Sequence, residues 1–97
     1  MLVDTHAHLY LGAFDADRDA AVARAHAAGV TRILMPPTDV ASVRTALDVA
    51  DRYAGVWAMA AVHPTSVAEM AEGDLERIEA FLPDPRVVAV GETGLDY

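Results

Sequence analysis

Apolar residues along this chain follow two alternating patterns. Short and nearly continuous apolar runs are typical of buried strands in a parallel sheet, and the segments between them repeat apolar residues at helical spacing. The runs predict four buried strands, at residues 3–8, 32–35, 56–62 and 86–90. The run at 56–62 is nearly all apolar, so we expect this strand to be covered on both faces.

Three helices are predicted between these strands. The first begins in the acidic cluster at residues 15–19, whose carboxylates can accept free backbone amides, and it ends at Gly29. The second opens at Asp39 or Ser42 and ends at Gly55. Each of these helices fills the space between two successive strands.

Two possible helix starts precede the apolar stripe of the third helix. Residues 66–69 have the form of a capping box, and Asp74 then heads the helix itself. Pro83 prevents the helix from continuing. Its apolar residues predict one buried stripe, made of Leu75, Ile78, Phe81 and Leu82.

The order of elements predicts an α/β fold built from parallel strand–helix alternation. A strand followed by a helix occurs three times and a fourth strand closes the series, with connections short enough for right-handed crossovers. No linker, low-complexity tract or charge run interrupts the chain. We therefore interpret residues 1–97 as one domain without an internal boundary.

Polar side chains follow the predicted strands where each strand ends. His6 and His8 close the first strand, Thr38 and Asp39 follow the second, His63 closes the third and Glu92 follows the fourth. Carboxyl ends of parallel strands share one edge of the sheet, which is where ligands bind in such folds. Three histidines and a carboxylate at one edge indicate a candidate metal site.

The spacing of His6 and His8 strengthens this interpretation. In an extended strand, residues two apart point to the same face, so both imidazoles can reach one ion. Alternatives remain for each residue: a chance histidine pair, a solvated Glu92, and a packed His63 that is satisfied by backbone groups. His26 lies outside the apolar row of the first helix and is assigned to solvent.

Composition narrows the class of protein. Apolar residues make up 54% of the chain, which is enough for a packed core and argues against disorder. All seven basic residues are arginine and the net charge is -8, so the overall field repels polyanions and any attraction to phosphate must be local. There is no cysteine, no leader-like segment and no run of membrane-spanning length. A cytoplasmic location is the expectation.

Several motifs together resemble the N-terminal part of the TatD family of metal-dependent hydrolases. The resemblance runs from residue 2 to residue 97. It is carried by Asp4-Thr5-His6-Ala7-His8-Leu9, Phe14-Asp15-Ala16-Asp17-Arg18, Ala28-Gly29-Val30, Thr38-Asp39, Val62-His63-Pro64 and Gly91-Glu92-Thr93-Gly94-Leu95-Asp96-Tyr97. The last motif is the most specific. The sequence departs from the usual family pattern in three places, namely Tyr10, the pair Pro36-Pro37, and Thr65.

The resemblance implies a hydrolase with a TIM-type (β/α)8 barrel and one or two divalent ions (Mg, Mn or Zn), often a deoxyribonuclease acting from the 3′ end. His6 and His8 would bind the first ion, Glu92 would be the carboxylate shared between ions, and His63 would lie near the substrate. Glu92 and His63 are thus the catalytic candidates. DNA is the implied substrate, and no membrane and no obligate protein partner is implied.

The length of the chain limits what it can do alone. A (β/α)8 barrel needs roughly 250 residues, whereas four strands and three helices are predicted here. We interpret the 97 residues as the first half of such a barrel: a fragment, a truncated gene product or a partial expression product. Family ligands expected on later strands, two histidines and an aspartate, lie beyond it. The chain alone is expected to bind metal weakly and to lack useful turnover.

Two other interpretations remain open at this point. One is a different metal-dependent barrel hydrolase, such as a PHP-type phosphoesterase or an amidohydrolase, since histidine pairs are shared among these enzymes. The motif at the end of the chain, residues 92–97, favours the TatD family over PHP-type phosphoesterases and amidohydrolases. The other is a non-catalytic α/β fragment that acts only by binding a partner. Metal content distinguishes this last interpretation from the two enzymatic ones.

Overall fold

The computed structural model describes residues 1–95, so Asp96 and Tyr97 of the last motif lie outside the described residues. It contains four strands and three α-helices in strict alternation, with two short 3-10 helices at Gly12–Phe14 and Pro64–Glu69. The elements are β1 (Leu2–Asp4), α1 (Arg18–Ala27), β2 (Val30–Met35), α2 (Val40–Arg52), β3 (Val56–Ala60), α3 (Asp74–Phe81) and β4 (Val87–Val90).

The four strands form one parallel sheet in chain order, β1-β2-β3-β4. This arrangement confirms the predicted parallel α/β fold. Because each helix connects two neighbouring parallel strands, all four carboxyl ends lie at the same edge. Within the described residues, no helix combines the length and the apolar character that crossing a bilayer requires.

The core lies between the sheet and its helices, and α2 contributes most of the buried helix residues. Val43 and Ala46 on the helix and Met35 and Ala58 on the strands are completely buried. Asp39 caps this helix by accepting the Ser42 backbone N–H at 2.8 Å, and the Ser42 hydroxyl accepts the Asp39 backbone N–H at 3.0 Å. The two start signals predicted for α2 are therefore two halves of one capping box.

The opposite face of the sheet is exposed in the described chain. Val3, Trp57 and Val88 are 52%, 37% and 48% exposed, whereas the alternate residues of β3 are buried against the helix layer. The prediction that β3 is covered on both faces is therefore wrong within the described residues. A strand burying only alternate residues here matches one wall of a barrel, whose inner face needs further strands to cover it.

The first strand differs most from its prediction. It covers only Leu2–Asp4 and is exposed throughout, instead of forming a buried strand that reaches His8. The Asp4 carboxylate accepts the His6 backbone N–H at 2.9 Å, which bends the chain at Thr5 and ends the strand there. His6 and His8 thus lie in the segment after the strand.

The first helix begins close to its predicted position but by another means. Asp17 occupies the cap position without a side-chain hydrogen bond to the helix. Asp15 instead accepts a hydrogen bond from Arg18 at 2.9 Å. The acidic cluster therefore binds an arginine here rather than capping backbone amides.

The region around α3 also differs in detail. The capping box predicted at residues 66–69 is absent, because Pro64 starts a 3-10 helix earlier and His63 occupies its cap position. The α3 cap is Gly73. Only part of the predicted stripe is buried: Ile78 is 9% exposed, whereas Leu75 and Leu82 are 66% and 41% exposed.

His26 is half-buried and was wrongly assigned to solvent. Its Nδ1 lies 2.8 Å from the Val30 carbonyl oxygen and its Nε2 lies 2.9 Å from that of Ala54. The ring therefore links the end of α1 to the turn before β3. Apolar periodicity gave no sign of this role, because the contacts are made with backbone oxygens rather than with apolar side chains.

Gly55 is a position where we predict a large loss of stability on substitution. Its φ is +78°, and a Cβ there would lie 2.3 Å from the Thr31 carbonyl oxygen. Gly55→Ala should lower the free energy of unfolding by about 3 kcal/mol, since strain and a backbone clash add together. Gly29→Ala is the control, because its φ is +93° but nothing lies within 4 Å of the added carbon. Equal losses in urea unfolding would contradict this explanation.

Asp84 should make the fold sensitive to acid. Hydrogen bonds from the Arg86 side chain, then from its backbone N–H, lower the Asp84 pKa to about 2 from 3.8. A lowered pKa stabilises the fold fully above 3.8, and this contribution is lost as the pH falls through the folded value. Asp84→Asn should flatten the stability profile between about pH 4 and 2. Urea unfolding at a series of pH values measures this profile, with Asp48→Asn, at an exposed position of α2, as the matched control.

Candidate metal centre

Four polar side chains meet at the carboxyl edge of the sheet, with Glu92 at their centre. Glu92 Oε2 lies 3.3 Å from His6 Nε2 and 4.0 Å from His8 Nε2. Glu92 Oε1 lies 3.2 Å from His63 Nε2. Each of the four residues named from the sequence is therefore present in one cluster.

Glu92 reaches the cluster because the chain turns closely past β3. The Gly91 backbone N–H donates to the Ala60 carbonyl oxygen at 3.2 Å. A Cβ at Gly91 would lie 3.3 Å from the Met59 Cβ, so a larger residue would push the strand end away. The glycine that ends β4 thus brings the following carboxylate beside His63.

His63 is fixed at both its backbone and its ring. Its backbone N–H donates to the Thr38 carbonyl oxygen at 2.7 Å. Its Nδ1 accepts the Thr65 backbone N–H at 3.1 Å. A neutral ring whose Nδ1 accepts carries its proton on Nε2, so His63 donates that N–H to Glu92. Thr65 therefore sets the direction of the hydrogen bond between His63 and Glu92.

His6 and His8 approach each other through their Nε2 atoms, which lie 3.2 Å apart. Strand alternation was the predicted reason for this proximity, but the strand ends at Asp4. The bend at Thr5 and the following irregular segment bring the rings together instead. The His6 and His8 side chains are 53% and 31% exposed, so solvent and a ligand can reach both.

The segment after His8 is fastened by a buried arginine. Arg18 is 6% exposed, and its guanidinium donates to the carbonyl oxygens of Leu9 at 2.6 Å and Leu11 at 2.9 Å. It also donates to Asp15. Sequence reasoning assigned Arg18 no role in the site. The sign of such a role in the sequence is that Arg18 ends the family motif at residues 14–18.

Tyr10 contacts His8 from the buried side. The Tyr10 hydroxyl oxygen lies 2.8 Å from His8 Nδ1 and 3.3 Å from the Pro36 carbonyl oxygen. Burial, followed by the nearby carboxylates of Asp39 and Glu92, raises the pKa of Tyr10 above its ordinary value of 10.0. The phenol is therefore protonated at neutral pH.

The cluster has the donor atoms that a divalent ion requires. One ligand atom each from His6, His8 and Glu92 lie within 4.8 Å of one another. Two atoms bound tetrahedrally at about 2.05 Å from one zinc ion are roughly 3.3 Å apart, close to the His6–His8 and His6–Glu92 separations. Imidazole and carboxylate suit zinc and manganese alike. Three protein ligands would leave coordination positions open for water and substrate.

Hydrogen bonds to or from the backbone hold the other polar residues at this edge. Asp39 caps α2, and the Thr38 backbone N–H donates to the Ser42 hydroxyl oxygen at 2.9 Å. Asp4 accepts the His6 backbone N–H. It thus bends the chain toward the cluster.

The fold and the cluster together define a class: a parallel α/β protein with a candidate divalent-metal centre at the carboxyl edge of its sheet. Residues 3–97 match the sequence profile described as TatD related DNase. The chain therefore belongs to the TatD family, as the motifs predicted. The family and the parallel sheet identify the chain as the first part of a TIM-type barrel.

Individual relatives agree with this assignment. The chain is 43% identical over 84 residues to a protein of Cronobacter turicensis named 3′-5′ ssDNA/RNA exonuclease TatD, covering 87% of this chain and 32% of that protein. It is 37% identical over 97 residues to the uncharacterized metal-dependent hydrolase YabD of Bacillus subtilis, covering 100% and 38%.

A solved structure shows the same fold. The crystal structure of YjjV, a TatD homologue of Escherichia coli, superposes with a TM-score of 0.88 at 34% identity, covering 98% of this chain and 38% of that one. The chain thus spans about a third of the length of the relatives it matches.

Proposed function

We propose that the protein carrying this chain is a divalent-metal-dependent hydrolase, and that residues 1–97 form the first part of its single barrel domain. The convergence of His6, His8 and Glu92 at one edge carries this proposal. Family membership supports the metal dependence, since relatives are named metal-dependent hydrolases. A cytoplasmic location belongs to the same proposal.

Its substrate is nucleic acid, cleaved at phosphodiester bonds, with DNA cut from the 3′ end. Two observations support this step: the family profile and the relatives named ssDNA/RNA exonucleases. The net charge of -8 opposes binding of a polyanion. Positive potential must therefore be supplied at the site itself, which explains why a hydrolase of nucleic acid can have so acidic a chain.

A divalent ion, when bound, would lower the pKa of a water molecule and offset charge on the phosphate oxygens. His6 and His8 would hold it through Nε2, and Glu92 would hold it through Oε2. Glu92 Oε1 accepts the N–H of His63, so that histidine orients the carboxylate. The His63 side chain is 22% exposed and lies beside the cluster, and the family resemblance implies that it lies near the substrate.

The test is a nuclease assay on the intact natural polypeptide that contains these residues. A single-stranded oligonucleotide labelled at its 5′ end should be shortened stepwise from the 3′ end with Mg²⁺, Mn²⁺ or Zn²⁺, and not with EDTA. His63→Ala should lower the rate of cleavage, whereas His26→Ala, a histidine outside the cluster, should preserve it in folded protein. Cleavage of an amide substrate but no nucleic acid would overturn the nucleic-acid assignment.

The 97 residues alone are a separate case. We expect weak metal binding and no measurable turnover from them, because barrel closure needs strands that they do not supply. DNA cleavage by the purified 97-residue chain that depends on added metal, and is lost in Glu92→Ala, would contradict this expectation.

A further inference from the structure

Tyr10 contacts a candidate metal ligand on the side away from the cluster. Its side chain is 5% exposed, and its hydroxyl oxygen lies between His8 Nδ1 at 2.8 Å and the Pro36 carbonyl oxygen at 3.3 Å. These two neighbours differ chemically. A carbonyl oxygen only accepts hydrogen bonds, whereas an imidazole nitrogen either donates or accepts.

One assignment of protons satisfies both contacts. The hydroxyl has a single proton, so it donates to Pro36 and accepts an N–H from His8 Nδ1. The opposite assignment, with the hydroxyl donating to His8, would remove this donor from the carbonyl of a fully buried proline. Loss of a donor to a buried carbonyl costs free energy, so the first assignment is favoured.

The Pro36 carbonyl, which accepts the hydrogen bond from Tyr10, is rigidly held. Pro36 has its φ fixed by its own ring, and Pro37 restricts the residue before it to extended conformations. Both prolines are fully buried. The direction of the Pro36 carbonyl is therefore set by covalent geometry and packing, and it fixes the direction in which the Tyr10 proton points.

We propose that Tyr10 is a positioning residue that holds His8 in its Nδ1–H tautomer. The Nε2 lone pair of His8 then faces His6 and Glu92, where an ion would bind. In water, neutral histidine favours the other tautomer, which would put a proton on the ligand atom. This proposal rests on the metal role of His8 in the proposed function. It adds that the Tyr10 hydroxyl keeps the proton of His8 on Nδ1 and so leaves Nε2 free to bind an ion.

The first test reads the tautomer directly in metal-free protein. The intact polypeptide, labelled with ¹⁵N-histidine, is studied by two-bond ¹H–¹⁵N spectra at about pH 8, where histidines of ordinary pKa are neutral. His8 should show the Nδ1–H pattern in the wild type and the Nε2–H pattern in Tyr10→Phe. A wild-type His8 with its proton on Nε2 overturns the proposal without any variant.

The second test measures metal affinity by calorimetry. Tyr10→Phe should weaken Mn²⁺ or Zn²⁺ binding by about 10- to 100-fold, as is usual when a partner of a metal-bound histidine is removed. Phenylalanine keeps the buried ring, and thermal unfolding verifies that the variant is folded. Tyr53→Phe is the control, since it also removes a phenol that donates to a side chain, that of Asp19.

The outcomes separate this proposal from the proposed function. If His8→Ala weakens metal binding but Tyr10→Phe changes neither the affinity nor the tautomer, Tyr10 has no positioning role and the metal centre stands. If His8→Ala leaves metal affinity unchanged, the metal centre itself is refuted. Weaker binding together with a changed tautomer in Tyr10→Phe, and in no control, supports the proposal.

Discussion

Replacing Glu92 by glutamine should lower metal affinity by at least about 100-fold, the upper end of what loss of an outer partner costs. Glu92 is the only member of the described cluster that brings a negative charge, and its oxygens face His6 and His63 at 3.3 and 3.2 Å. Glutamine keeps the shape but not the charge. Hydrolysis by the intact polypeptide should fall with metal occupancy.

Calorimetry with Mn²⁺ and the oligonucleotide assay measure the two effects on the same preparation. Glu79→Gln is the matched control, because it removes a carboxylate at an exposed position of α3. It should leave both quantities unchanged. Metal affinity in Glu92→Gln within about twofold of the wild type would show that this carboxylate is not a ligand.

Replacing Arg18 by methionine should lower both the stability of the fold and the metal affinity of the site. The guanidinium donates to the carbonyl oxygens of Leu9 and Leu11 while it is almost completely buried. Methionine fills similar space but leaves both oxygens without these donors. We expect the free energy of unfolding to fall by about 3 kcal/mol, the scale of hydrogen bonds to charged groups.

Urea unfolding of the intact polypeptide checks this value. Arg18→Lys should recover little, since an ammonium lacks the planar fork that reaches two carbonyls. Arg24→Met, at an exposed position of the same helix, is the control and should change stability by less than about 0.5 kcal/mol. If Arg18→Met loses no more stability than the control, the hydrogen bonds of Arg18 to Leu9 and Leu11 do not stabilise the fold.

Arg18 should also influence the metal site. It fastens the segment that carries Tyr10 and follows His8, so its loss should loosen the hydrogen bond between these two side chains. Metal affinity in folded Arg18→Met should therefore fall as well. This second effect distinguishes an arginine that supports the site from one that only stabilises the fold.

The sheet could be predicted from the sequence because its signals are local. Apolar runs closed by proline or glycine, as at Pro36 and Gly91, give both the strand and its end. The helix between β2 and β3 was equally plain, since Asp39 and Ser42 cap it within three residues. The choice of parallel pairing then follows from the alternation of elements.

Burial was harder to predict than topology. Trp57 lies in a continuous apolar run, yet it is 37% exposed on the face away from the helices. An apolar run shows that a strand can be covered on both faces, but what covers the second face depends on elements outside the described residues. The same holds for Val3, whose exposure a prediction from local pattern could not foresee.

The candidate site could be predicted as a set of residues, although not as a geometry. His6, His8, His63 and Glu92 were recognised because strand ends meet at one edge of a parallel sheet. Their hydrogen bonds depend on partners distant in sequence, such as Glu92 for His63 and Pro36 for Tyr10. Such pairings have no periodic signal in a single sequence.

Two positions that differ from the usual family pattern acquire a physical meaning in the structure. Tyr10 contacts His8 Nδ1 through its hydroxyl, and the Thr65 hydroxyl oxygen lies 2.7 Å from His63 Nδ1. The two rings are held in opposite ways, because the tyrosine oxygen accepts a hydrogen bond from His8 Nδ1–H, whereas His63 Nδ1 accepts one from the Thr65 backbone N–H. One histidine is thereby suited to bind a cation and the other to donate to Glu92.

The central claim is that His6, His8 and Glu92 together hold one divalent ion. The most direct measurement is anomalous diffraction from crystals of the intact natural polypeptide grown with Mn²⁺ or Zn²⁺, recorded above and below the metal absorption edge. We predict an anomalous peak within bonding distance of His6 Nε2, His8 Nε2 and a Glu92 oxygen. A stoichiometric ion bound elsewhere, with none among these three side chains, would contradict the claim.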